Sequence, residues 1–331
     1  MNLFKKSLLL SLLLGACAVV TPVYAGSVAA SVERIDAAMK RFVRAPHPMG
    51  SAEQKKYTAE LKADLTKLGW TVQAQKFTAT VPNPLAVKLG GHDKNADAVK
   101  QVQGENVIAI SSGTDHCLLL IGGHYDTKPY TSMRFVGAND GGSSTVLMQE
   151  LARTIAQVRQ QEEATKKTAG RLLDCSIGLV FFDGEEAVLP EWNDGEMQLG
   201  LKDNTYGSRF FAESLVKGFA GLSFQGIPVK AAVIIDMVGH REQNLLISKG
   251  SDRVLSQKLL DQKKKLSITA TNLPMEDDHV PLAQRGIPYV HVIDWVNLNE
   301  WHTAEDTLSI ISTRRIADFG DVLLAFLQQP R

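Results

Sequence analysis

Runs of consecutive apolar residues, each ending in a knot of acids, constrain this chain most. Leu118-Leu-Leu-Ile121 leads into Gly122-Gly-His124-Tyr-Asp126, and Leu179-Val-Phe-Phe182 leads into Asp183-Gly-Glu185-Glu186. A third run, Val233-Ile-Ile235, ends in Asp236. Strands apolar at every position are buried on both faces, so they belong to a sheet covered by helices on each side. Strand-like segments fall at 72–78, 106–110, 117–121, 176–182, 229–236, 244–247 and 288–292. Helical patterns fall at 31–46, 51–68, 143–160, 206–215, 253–265 and 312–328. This alternation predicts an α/β fold, a single domain with a central, mostly parallel mixed sheet flanked by helices on both faces. The polar stretches 160–170 and 191–204 read as surface insertions.

Composition narrows the class. The 331 residues carry 36 Lys and Arg against 36 Asp and Glu. A balanced charge lacks the basic face that a nucleic-acid binder needs, so no nucleic-acid partner is expected. A hydrophobic share of 44% is enough to build a core. Three cysteines cannot build a disulfide scaffold. Lys5 and Lys6 precede an apolar run, 7–20, and no acid occurs before Glu33. That pattern reads as an export signal over 1–25, leaving 26–331 as the mature domain. Cleavage after Ala25 is one exit. Leu14-Gly-Ala-Cys17 also resembles a lipobox, which would make Cys17 a lipidated terminus. The run is shorter than the ~20 residues that span a bilayer, so no stable membrane span is expected. Removing both lysines leaves 34 basic against 36 acidic residues, a net of −2. Export, to the periplasm or beyond, makes Cys117 and Cys175 candidates for a bridge. Two separate buried thiols are the equal alternative.

In an open α/β sheet, ligands gather at the carboxyl ends of the strands. The three acid knots would meet there with the Asn139-Asp140-Gly-Gly turn and the Trp301-His302-Thr segment. Crowded carboxylates repel one another unless a cation neutralises them. A divalent metal is the economical explanation, and zinc accepts both carboxylate oxygen and imidazole nitrogen. Adjacent side chains on a loop diverge, so one of Glu185 and Glu186 can bind metal while the other serves as acid and base. A Gly-x-Ser-x-Gly elbow, a Gly-x-x-x-x-Gly-Lys-[Ser/Thr] loop and a His-Glu-x-x-His helix are all absent from the sequence.

The series Gly123-His-Tyr-Asp126, Gly137-Ala-Asn-Asp140, Phe182-Asp-Gly-Glu-Glu186, Asp203-Asn-Thr-Tyr-Gly-Ser-Arg209, Ile235-Asp-Met-Val-Gly239, Glu276-Asp-Asp-His-Val-Pro281, Arg285-Gly-Ile-Pro288 and Glu300-Trp-His-Thr303 resembles the animal-type glutaminyl-peptide cyclotransferases. Those enzymes share the fold of the zinc aminopeptidases of peptidase family M28. The resemblance runs from about residue 40 to the end of the chain. It implies one zinc ion held by Asp140, Glu186 and His302, with Glu185 as the proton shuttle. It further implies that Asp236 and Asp277 hydrogen-bond with each other and with the reacting groups. Trp301, Trp192 and His291 would belong to the substrate pocket. The substrates would be peptides or proteins with an N-terminal glutamine. This chain departs from the pattern in two places. Trp192 lies one residue further from Glu186, and Asn297 stands where the family has a pocket phenylalanine. Trp295 is placed no further in than the pocket rim. The rival reading is a two-zinc aminopeptidase. In it His124, Asp140 and Asp236 would hold a second ion, with Asp126 beside them.

Overall fold

Ser31 and Ser51 begin the first two helices. Each side-chain oxygen accepts a backbone N–H three residues on, from Arg34 and Gln54, which satisfies one of the free donors at a helix start. The helices are α1 (Val32–Phe42) and α2 (Ala52–Lys67). The computed structural model describes residues 28–85, 87–88, 91–92, 97–165, 172–217 and 226–330. The proposed export signal over 1–25, with Cys17, lies outside the described residues.

The strands follow in chain order as β1 (Thr71–Pro82), β2 (Val87–Lys88), β3 (Gly91–His92), β4 (Val99–Ser111), β5 (Leu118–His124), β6 (Ser176–Phe182), β7 (Val229–Asp236), β8 (Leu245–Ile247), β9 (Ile268–Ala270) and β10 (Tyr289–Ile293). Between and after them lie α3 (Gly142–Thr165), α4 (Asp194–Leu199), α5 (Tyr206–Lys217), α6 (Arg253–Leu260), α7 (His279–Ala283) and α8 (Thr313–Leu327). Eight strands form one sheet in the order β1-β4-β6-β5-β7-β10-β8-β9, and β2 pairs with β3 alone. The sheet is less uniformly parallel than the sequence suggests. The four central strands, β6, β5, β7 and β10, are parallel, as is the β8–β9 pair. The β1–β4, β4–β6 and β10–β8 pairs are antiparallel. The pattern of burial explains the split. Every residue of β5 and β6 is buried, whereas β1 alternates buried with exposed positions along its second half. A half-solvated strand suits an antiparallel edge.

Successive residues of one strand face opposite layers. Ile177, Leu179 and Phe181 of β6 join the core under α1, α2, α3 and α8. Val180 and Phe182 join a smaller core with Phe211 of α5 and Leu282 of α7. Helices therefore cover both faces. Five short elements, β2, β3, α4, α7 and β9, were not foreseen, being too short to show a period. The stretch 191–204 is largely exposed or half-buried, as an insertion would be, and it holds α4 and Trp192. No helix among the described residues is long and apolar enough to cross a membrane.

Cys117 and Cys175 are bonded, which decides between the two readings left open by the sequence. They immediately precede the neighbouring strands β5 and β6, at the opposite end from the acid knots. The bridge spans a sequence separation of 58 residues. The loop-entropy model assigns such a closure about 4 kcal/mol at most. A Cys117→Ala/Cys175→Ala variant is expected to unfold at lower denaturant by up to that amount while still binding metal. Equilibrium denaturation with metal analysis checks both.

Candidate active site and metal centre

Because β5, β6, β7 and β10 run in one direction, the residues that end them meet at one edge. Here lies a cavity of about 300 Å³, lined by Asp140, Glu185, Glu186, Asp236, Asp277 and His302 among others. Asp140 sits on the turn before α3, where Gly141 has φ +77°. A Cβ at Gly141 would stand 2.8 Å from the His124 ring, so only glycine lets the imidazole approach.

His302 takes the left-handed backbone region at φ 57°. Its Nε2 lies 3.3 Å from Asp140 Oδ2 and 3.3 Å from Glu186 Oε2. Four tetrahedral ligands on bonds of ~2.1 Å lie roughly 3.4 Å apart, so these separations suit a zinc-sized ion. Asp140 Oδ2 and both oxygens of Glu186 are buried and accept no hydrogen bond. Unpartnered buried carboxylate oxygens are costly, and a cation between them removes that cost. Asp140, Glu186 and His302 thus form one ligand-capable group. A second group, His124, Asp140 and Asp236, shares Asp140 with it. In that group His124 Nε2 already lies 3.2 Å from both Asp140 Oδ1 and Asp236 Oδ1.

The electrostatics follow from burial. Burial raises the Glu185 carboxyl well above its ordinary range, with nearby His124 opposing. Burial also raises Asp236, to about 6, again with His124 opposing. For Asp140, burial pushes upward, but hydrogen bonds from His124 and His302 outweigh it and hold the carboxyl low. Burial alone would lower His302. The charges of Glu186 and Asp140 reverse this and raise it to about 9.

Two expectations need correction. Asp236 and Asp277 do not hydrogen-bond with each other. Asp236 faces His124, and Asp277 Oδ2 lies 2.7 Å from His291 Nε2. Each carboxylate has its own imidazole, which removes the need for a shared proton. His291 is also not a pocket wall. It is fully buried behind Asp277, with Nδ1 3.0 Å from Ser248 Oγ and its ring stacked on His279. Trp192 and Trp301 do line the cavity. The Trp192 indole N–H donates to Glu276 Oε2 at 3.1 Å, and Glu276 also pairs with Lys202. Trp301 stacks on His302 at 3.9 Å.

Asp126 belongs to neither ligand group around Asp140. Its two oxygens accept the backbone N–H groups of Glu185 and Glu186 at 3.1 and 3.4 Å, which holds their turn. Asp306 does the same for Asp140 and was missed. Its oxygens accept the N–H groups of Asn139 and Asp140 at 2.7 and 3.1 Å. Burial raises the Asp306 carboxyl to about 8, with Asp140 adding to the effect. No spacing in the sequence reveals it, since it acts on backbone 166 residues away.

Asp306→Ala leaves two buried N–H donors unsatisfied. It should cost about 1–3 kcal/mol of stability and weaken metal retention, which denaturation and chelator competition measure. His302 must lose its proton to bind metal, and its pKa stands near 9 without one. Metal affinity should therefore rise with pH, by about tenfold per unit, and flatten near pH 9. Chelator competition between pH 6.5 and 9.5 reads this slope.

The family model for peptidase family M28 matches residues 106–327. A glutaminyl-peptide cyclotransferase-like protein of Bos taurus is 27% identical over 315 residues, covering 87% of this chain and 72% of that protein. The glutaminyl-peptide cyclotransferase of Dictyostelium discoideum is 24% identical, covering 82% and 78%. The crystal structure of Fimbriiglobus ruber glutaminyl cyclase superposes with a TM-score of 0.68 at 25% identity, covering 90% of this chain and 95% of that one. The matched span, the order of the acid knots along it and the two ligand-capable groups agree, and the chain belongs to peptidase family M28.

Proposed function

We propose that this protein is a glutaminyl-peptide cyclotransferase. It would convert the N-terminal glutamine of peptides or proteins to pyroglutamate with release of ammonia, using one zinc ion. The observation that carries the reading is the placement of buried Glu185 beside the Asp140, Glu186 and His302 group, in a cavity walled by Trp192, Trp295 and Trp301. Cyclisation needs no enzyme nucleophile, because the substrate's own α-amine attacks its γ-carboxamide. One bond forms, from the α-nitrogen to the γ-carbonyl carbon. The bond from that carbon to the amide nitrogen breaks, and one proton moves from the attacking to the departing nitrogen. Glu185 makes this transfer. Burial raises its carboxyl above the ordinary range, which suits a group that must take a proton before returning it. A zinc ion held by Asp140, Glu186 and His302 would polarise the γ-carbonyl as a Lewis acid. The indole walls hold the side chain folded and exclude water, an orientation effect. Asp236 and Asp277, each held by an imidazole, present fixed polar atoms to the α-amine.

The second reading, a two-zinc aminopeptidase, draws support from the His124, Asp140 and Asp236 group. Against it stand the similar proteins, which are named glutaminyl-peptide cyclotransferases. Export is part of the proposal. The bonded Cys117–Cys175 pair supports an oxidising compartment, in line with a signal over 1–25 or lipidation at Cys17.

Incubation with a Gln-initiated and a Leu-initiated peptide, followed by mass spectrometry, separates the readings. Loss of one ammonia from the first peptide, with the second intact, is expected. Free leucine with two zinc ions per chain would overturn the cyclase. Glu185→Gln should lower kcat by about 10²–10⁴ with zinc still bound, and full turnover in that variant would refute the shuttle role.

A further inference from the structure

The turn after β10 presents the aromatic side chain that the sequence places at the pocket rim, Trp295. Asn297, which stands where the family has a pocket phenylalanine, is not among the residues lining the cavity. Its Nδ2 instead donates to Asp294 Oδ2 at 2.8 Å and to the Glu242 carbonyl at 3.3 Å. Asp294 is fully buried and collects the whole turn. Its Oδ1 accepts the N–H groups of Val296 and Asn297 at 3.1 and 3.2 Å, and its Oδ2 accepts that of Asn244 at 3.0 Å. Asn244 immediately precedes β8, so one carboxylate ties the turn to the neighbouring strand.

The residue this turn delivers to the cavity wall is Trp295. Its indole meets Trp301 edge-on, with ring centroids 5.1 Å apart and planes at 67°. Trp301 in turn lies flat on the His302 ring, at 3.9 Å and 21°. Edge-to-face and stacked rings fix one another's orientation, so Trp295 limits how far Trp301 can swing from the metal-binding imidazole. Trp295 itself keeps 36% of its surface exposed. An apolar face left open at the mouth of a cavity is one that a bound side chain can cover.

We infer that Trp295 is a substrate-contacting residue that determines affinity for the N-terminal side chain, and that Asp294 and Asn297 are the positioning residues that present it. Its indole covers the methylene stem of the bound residue while its edge steadies Trp301. This rests on the proposed cyclase reading for the identity of that residue, but not for the existence of the wall.

The test uses the full-length zinc-loaded enzyme and the variants Trp295→Ala, Trp295→Phe, Asn297→Ala and Asn297→Phe. Steady-state kinetics are read on the Gln-initiated peptide, with near-UV circular dichroism and zinc content alongside. Trp295→Ala should raise KM by about tenfold, the scale of exposing one large apolar contact, and change kcat by less than about threefold. Its near-UV spectrum should lose the Trp295–Trp301 contribution while zinc content stays at the parent value. Trp295→Phe should recover most of the affinity. Asn297→Ala should raise KM less than Trp295→Ala does, through a loosened turn, and Asn297→Phe should not bind more tightly than the parent. Parent-like KM in Trp295→Ala would overturn the assignment, as would tighter binding in Asn297→Phe, which would put position 297 at the wall. Should the parent act on the Leu-initiated peptide alone, the cyclase reading fails. The same KM series on that peptide then decides the role of Trp295.

Discussion

Five carboxylates, Asp140, Glu185, Glu186, Asp236 and Asp277, converge on one cavity, all of them buried. Their mutual repulsion in a poorly solvated site would favour protonation or separation unless opposite charge offsets it. Three imidazoles supply part of the offset, His124 between Asp140 and Asp236, His291 behind Asp277 and His302 beside Asp140 and Glu186. The oxygens that remain without a hydrogen bond, on Asp140 and Glu186, are those nearest His302. Those unpartnered oxygens also lie where the ligand separations suit a metal ion. Charge compensation, rather than any one contact, organises this end of the molecule.

The backbone around the site is held by further acids that never reach the cavity. Asp126 accepts the N–H groups of the Glu185–Glu186 turn, Asp306 those of Asn139 and Asp140, and Asp294 those of the turn that carries Trp295. A carboxylate accepting backbone N–H groups fixes loop geometry without occupying the pocket. Asp183 works likewise further from the cavity, accepting from Gln54 and from the backbone of Glu105. The chain therefore uses its buried acids in two ways. Some face the cavity with open oxygens, and others spend theirs on the loops that aim the first set.

Much of this was legible before folding. Unbroken apolar runs gave away β5, β6 and β7, because a strand buried on both faces cannot alternate. Acids directly after such runs must lie at the sheet edge, so Glu185, Glu186 and Asp236 could be placed there. β9 and α7, with three and five residues, were not read, although the equally short β8 was. Asp306 could not be found either, because a side chain that accepts backbone N–H groups far along the chain leaves no local pattern. Asn297 replaces the family's pocket phenylalanine, and its carboxamide is used by Asp294, while Trp295, read as a rim residue, lines the cavity.

The linear order of residues determined the layered α/β architecture, the acid-rich strand ends and the metal-binding residue types, because periodicity and side-chain chemistry are local properties. Tertiary structure decided which oxygens stay unpartnered, which imidazole answers which carboxylate, and that Cys117 and Cys175 meet. It also decided that His291 stands behind the pocket while Trp295 enters it. Those outcomes depend on distances between segments as far apart as Asp140 and His302, and such distances exist only once the sheet has brought the strand ends together.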